Sequence, residues 1–277
     1  MRPSAPLYDL LAPTYEEHFA VSHRRAYDEL AWEICCDALP ERPAVVVDVG
    51  CGVGRWTGRL LDAGYSVVAI EPAPAMAARA ARRLAGRFGA GVTLLQDRVE
   101  DVELAAGSVD AVLAMGSLQY TDDPVEQVVR LAGWLRPGGV LAVLVDSLQA
   151  LVLELVAAGK EEEALIRLTT RRGVWRVAGA EADLHLLDAE RLRRAYAAAD
   201  LEVDRVAGLL VGATAYGRER LRHRLEDDFP AALAVERRLA GQADLADLGK
   251  QLLIVGRRRT RPARREPTRT PAPPPPH

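Results

Sequence analysis

The chain has 277 residues, 49% of them hydrophobic, and a formal net charge of −3. That predicts one large or two small globular domains, with enough core to dispense with disulfides or metal staples. Cys35 and Cys36 are adjacent and Cys51 lies in a glycine-rich turn, so no pair has the CxxC spacing of a zinc or redox site, and a reducing cytoplasm is the expected setting. No stretch approaches the roughly 18 apolar residues of a membrane helix. MRPSAPLYDLLAPTYEEHF, at the start, is too broken by prolines and acids for a secretion signal.

Residues 1–43 are expected to form a helical cap. From 44 to 147, valine-rich runs alternate with helical patterns, the signature of a parallel sheet with crossover helices. Strands are predicted over 44–50, 64–71, 91–97, 108–116 and 139–146. Asp123 and Pro124 predict a helix N-terminus, and Pro137-Gly138-Gly139 its stop. Residues 148–187 read as a lid insertion, with a helix over 148–171 and an irregular or strand-like stretch over 173–187. In 188–256, Asp188 caps a helix, 201–212 and 249–258 are strands, and 213–247 is a helical excursion that includes two helices. Two strands joined by so long an excursion fit an antiparallel pair at the sheet edge. Residues 257–277 hold seven arginines, one glutamate and seven of the 17 prolines. This segment is expected to be a disordered tail, since it has almost nothing apolar to bury. Without its charge of +6 the rest of the chain carries −9, an acidic body that argues against nucleic-acid substrates.

The chemistry concentrates in one turn. Strand one ends in Asp48-Val49-Gly50-Cys51-Gly52-Val53-Gly54 and enters a helix, so backbone N–H groups face the carboxyl edge of the sheet, where a polar cofactor belongs. A dinucleotide turn wants GxGxxG, but position 55 is Arg and the third glycine falls early, at Gly54. Glu71 ends the next strand, 21 residues after Gly50, and a carboxylate there can accept two hydrogen bonds from a ribose diol.

VVVDVGCGVGRWTGRLLDAGYSVVAIEPAPAM resembles the first two motifs of class I S-adenosylmethionine-dependent methyltransferases. The similarity continues through LLQDRVEDV, SVDAVLAMGSLQYTDDP and LRPGGVLAVLV, and more weakly in YDLLAPTYEEH and EADLHLLDAERLRRAYAAADLEV. It implies a doubly wound, mostly parallel, Rossmann-like α/β fold with a seven-stranded sheet, an antiparallel edge strand and a helical lid insertion. It also implies S-adenosylmethionine as cofactor and S-adenosylhomocysteine as product. By the same resemblance, Asp48 and the Gly50-Cys51-Gly52-Val53-Gly54 turn hold the methionine end. Glu71 binds the ribose, with Pro72 and Met76 packed nearby. Asp97 accepts from the adenine amino group, and Arg98 or Val99 offers a backbone N–H to the ring. Met115 and Gly116 lie near the sulfonium, Tyr15 closes over the cofactor carboxylate, and Trp56 either walls the site or packs its helix.

For the acceptor, Tyr8, Gln119, Tyr120, Asp146 and Trp175 are the candidate contacts, with Leu148, Leu151, Leu155 and Leu184 as further lining. Relatives often carry histidine at the Gln119 position, so a base, where one is needed, is sought elsewhere. Asp183 and His185 fall on one face of an extended segment, which makes His185 the candidate catalytic base. Arg171, Arg172 and Arg176 are candidates for recognising an acidic acceptor. No metal is expected. The expected activity is methyl transfer to O or N of a small or medium organic acceptor, a specialised metabolite or a peptide, its carboxylate included. The expected protein is a cytoplasmic monomer or homodimer with no nucleic-acid or membrane partner. The alternative is a methyltransferase-like cofactor-binding protein that does not methylate, either a pericyclic catalyst or a binding module.

Overall fold

The computed structural model describes residues 1–89, 91–177 and 179–260. Its main sheet has seven strands: β1 Val45–Val49, β2 Ser66–Ile70, β3 Val92–Leu95, β4 Val109–Met115, β5 Leu135–Asp146, β8 Leu201–Leu209 and β9 Gln251–Arg258. Their order is β3-β2-β1-β4-β5-β9-β8. The first five pair in parallel, whereas β9 runs antiparallel to both β5 and β8. Two strands, β6 Arg172–Val177 and β7 Ala180–His185, form a separate antiparallel hairpin.

Side-chain alternation along the strands builds two cores. Val46, Ala111, Leu113, Val140 and Ala142 face one way, against α2 Ser22–Ala38, α10 Arg218–Asp227 and α11 Phe229–Ala240. Val47, Val112, Ala114, Leu141 and Val143 face the other, against α5 Pro124–Trp134 and α8 Ala189–Ala198. Near-continuous valine and leucine runs are what strands buried on both faces require. Asp123 Oδ1 caps α5 by accepting from Val125 at 2.8 Å and Glu126 at 3.2 Å. Asp188 likewise caps α8 through the Arg191 N–H at 2.7 Å.

At the N-terminus, α1 Ala5–Leu11 and a 3₁₀ turn over Tyr15–Phe19 precede α2. The glycine turn opens α3 Arg55–Asp62, and α4 Pro74–Arg83 follows β2. Buried Asp28 on α2 fastens α3: it accepts from Arg55 at 2.6 Å, Arg59 at 3.1 Å and the Trp56 ring N–H at 3.1 Å.

Three details differ from the sequence reading. Residues 148–171 form two helices, α6 Leu148–Ala157 and α7 Glu161–Thr170, because Gly159 takes a left-handed φ of +69° between them. The excursion gains a short helix, α9 Val211–Tyr216. The expected tail starts too early. Arg257 and Arg258 belong to β9, where Arg257 donates to the Ala38 carbonyl at 2.8 Å and pairs with Asp204 at 3.0 Å. Of that tail, residues 261–277 lie outside the described residues. No described helix is long and apolar enough to cross a membrane.

Candidate active site

β1 ends against β4 and hands the chain to the glycine turn. The Ser117 hydroxyl donates to the Val49 carbonyl at 2.6 Å, and the Gly50 and Cys51 N–H groups donate to the Ile70 carbonyl at 2.8 and 3.0 Å. Gly50 has φ +71°, and a Cβ there would sit 2.4 Å from the Ser117 Cβ, so the turn has room only for glycine. Glu71 follows β2 and is 6% exposed. Its Oε2 accepts from the Gly52 N–H and its Oε1 from the Ala73 N–H, both at 2.8 Å. Burial pushes this carboxyl up to about 7, against the pull of those two donors. Burial likewise lifts Asp48 to about 6, although its Oδ2 accepts from the Thr57 hydroxyl at 2.6 Å.

Two cavities open at this edge. One, of about 360 Å³, is lined by Gly50, Gly52, Glu71, Pro72, Arg98 and Val99 among others. The second, of about 670 Å³, runs beneath α6 and the β6–β7 hairpin, with Gln119, Asp146, Leu151, Trp175 and Leu184 on its wall. Tyr8, Tyr15, Met115, Gly116 and Tyr120 line both, so the two cavities meet there. Tyr8 stands edge-on to Tyr15, Tyr120 and Trp175, with ring centroids 6.1, 5.6 and 5.4 Å away. Burial raises the Tyr8, Tyr15 and Tyr120 phenols above their ordinary range, which keeps this junction uncharged.

The Gln119 amide explains itself as a link between strand ends. Its Oε1 accepts from the Asp146 N–H at 2.7 Å while its Nε2 donates to Asp146 Oδ2 at 3.1 Å. Four other expected residues, Trp56, Met76, Cys51 and Asp97, do not line either cavity, Met76 packing behind the wall as expected. Trp56 packs edge-on to Trp32, with ring centroids 5.2 Å apart, on the α2 side of α3. Met76 is fully buried beside Leu7, Leu11 and Val53, and Cys51 is buried against Ala69 and Ala80. Asp97 is exposed, with Oδ1 accepting from the Arg98 N–H at 2.9 Å.

The expected Asp183–His185 pair does not form. Arg2 takes Asp183 through its backbone N–H and its Nε, both at 2.9 Å. His185 Nε2 lies 2.7 Å from Arg172 Nη1 and 3.1 Å from the Asp122 carbonyl, and the residue lines neither cavity. The three hairpin arginines are similarly occupied: Arg171 pairs with Asp188, Arg172 contacts His185, and Arg176 pairs with Glu181. The histidine on the wall of the larger cavity is His23 of α2, held below its ordinary basicity by burial and then by Arg24, Arg218, Arg222 and Lys250. Its sequence surroundings are polar and helical and carry no signal of that position.

A nucleotide-sized cleft at the carboxyl edge of a parallel sheet, beside a second cavity beneath α6 and the β6–β7 hairpin, defines an α/β protein of the kind whose ligands sit at the strand ends. A family model described as a methyltransferase domain matches residues 47–143. The chain is 31% identical over 195 residues to the ubiquinone biosynthesis O-methyltransferase of Methylocella silvestris, covering 69% of this chain and 71% of that one. It is 36% identical over 136 residues to the tRNA U34 carboxymethyltransferase of Methylococcus capsulatus, covering 47% of this chain and 39% of that one. The crystal structure of the cyclase SpnF shares the fold, with a TM-score of 0.61 and 18% identity over 92% of this chain and 94% of that one. The chain belongs to the class I S-adenosylmethionine-dependent methyltransferase family. The chain spans 39% of the length of the Methylococcus relative and 30% and 41% of two other curated relatives.

Proposed function

We propose that the protein transfers a methyl group from S-adenosylmethionine to an O or N atom, a carboxylate oxygen included, of a small or medium organic acceptor such as a specialised metabolite or peptide. The observation that carries this reading is the junction at Tyr8, Tyr15, Met115, Gly116 and Tyr120, common to both cavities. The smaller cavity suits the cofactor, because Glu71 presents two carboxylate oxygens beside glycine backbone that comes close only for want of a Cβ. Glu71 would take the ribose diol, the Gly50–Gly54 turn with Asp48 and Tyr15 the methionine end, and Val99 with Arg98 the base.

The bound cofactor supplies an activated methyl group whose departure leaves a neutral thioether. The chain's task is therefore alignment and exclusion of water. Tyr8, Tyr120 and Trp175 form an apolar collar that does both. Where the acceptor is a hydroxyl, His23 on the wall of the larger cavity, biased toward its neutral form by burial, would be the imidazole available to take the proton. The experiment is a calorimetric titration with S-adenosylhomocysteine, with NAD as control, followed by an acceptor screen read as S-adenosylhomocysteine formed. Tight one-to-one binding of the first ligand alone is expected; no such binding overturns the reading. Binding without turnover across the screen would favour a non-methylating relative.

A further inference from the structure

Resting on the methyltransferase reading, we infer that the acceptor carries a carboxylate, held at a cationic pole of the larger cavity. Lys250, just before β9, and Arg218 and Arg222 on α10 reach that cavity from one side. Arg24 and His23 of α2 line the same cavity, and burial together with the four positive charges holds the His23 imidazole below its ordinary basicity. Across the described residues, the carboxylates within reach do not balance them. Glu154 of α6 takes both Lys250, at 2.8 Å, and Arg218, whose Nε donates at 2.8 Å. Glu219 stands 3.7 Å from Arg222, with the Glu219 side chain largely in solvent and that of Arg222 about half exposed. Asp146, also on the wall, is tied to Gln119. Four cations therefore face three acids at the end of a cavity whose sides are Leu151, Trp175 and Leu184. A neutral acceptor would leave that excess unused, whereas an amphipathic acid matches both the charge and the walls.

Glu154 also shows which anion the pole accepts. It is a carboxylate bonded to Lys250 and Arg218, and burial among them leaves its side chain 15% exposed. The acceptor's carboxylate displaces Glu154 from these partners.

The test uses the whole chain saturated with S-adenosylhomocysteine, titrated calorimetrically with 4-phenylbutyrate and with its uncharged partner 4-phenylbutyramide. The acid is expected to bind about tenfold or more tightly than the amide, the scale of one charge-assisted hydrogen bond. Lys250→Gln should remove most of that preference. Arg222→Gln, at an exposed position that does not burden folding, should reduce it too. Glu154→Gln should act in the opposite direction and raise affinity for the acid without changing that for the amide, which a merely structural ion pair would not do. Equal binding of acid and amide, binding of neither, or weaker acid binding by Glu154→Gln each overturns the proposal. The S-adenosylhomocysteine titration on the same samples reads the underlying assignment separately: failure there removes the methyltransferase reading, whereas success there with no acid preference removes only the pole.

Discussion

The Glu71 carboxyl makes cofactor affinity depend on pH in a calculable way. Burial raises it to about 7, while the form that accepts hydrogen bonds from a ribose diol is the ionised one. Binding therefore draws a proton off Glu71, and affinity rises with pH. With a midpoint near 7, about one-eleventh of the molecules carry the ionised form at pH 6 and about ten-elevenths at pH 8, so affinity should rise about tenfold over that interval. Asp48, near 6, adds at most about twofold over the same range. Calorimetric titration with S-adenosylhomocysteine at several pH values measures the slope and the proton released. In Glu71→Gln the tenfold slope should vanish and affinity at pH 8 should fall by about tenfold or more. A flat profile in the unaltered protein, or an undiminished slope in the variant, refutes the assignment of Glu71 to the ribose.

Three further outcomes follow from the geometry. Gly50→Ala places a Cβ 2.4 Å from that of Ser117 at a left-handed φ; it should cost about 1–3 kcal/mol, read as a lowered melting temperature, and abolish S-adenosylhomocysteine binding. Asp28→Ala strands Arg55 and Arg59 between α2 and α3 and should destabilise by about 3–5 kcal/mol in urea unfolding; a loss below about 1 kcal/mol would show the cluster to be solvated. His185→Asn should leave S-adenosylhomocysteine affinity within about twofold and turnover, on any acceptor found, largely intact, since His185 lines neither cavity. Collapse of turnover alone would restore it to the chemistry.

The parallel strands and the glycine turn were legible because their signals are local. Valine runs bounded by glycine mark doubly buried strands, and Glu71 sits a fixed number of residues beyond Gly50. The 148–171 stretch was less so, since one glycine, Gly159, divides what periodicity alone reads as one helix. The Asp183–His185 pairing failed for a reason no local pattern contains. Alternation placed both on one face, but Arg2, 181 residues away, captures the carboxylate and Arg172 meets the imidazole. Trp56 was similarly decided by Trp32 on another helix. The cationic pole gathers residues from α2, α10 and the approach to β9, none within a shared motif.

The junction between the cavities is made of Met115, Gly116 and three tyrosine rings, which line both chambers. A single synthetic molecule can thus thread both, with an adenosine head tethered by a few atoms to an acidic tail. Once the head is seated, the tail is presented at millimolar effective concentration, and the linked compound should exceed either fragment by about 10²–10⁴ in affinity when the tether matches the span. The same shared wall sets the design rule for such an inhibitor: the tether has to be uncharged where it passes the three tyrosines, whose burial would penalise a charge.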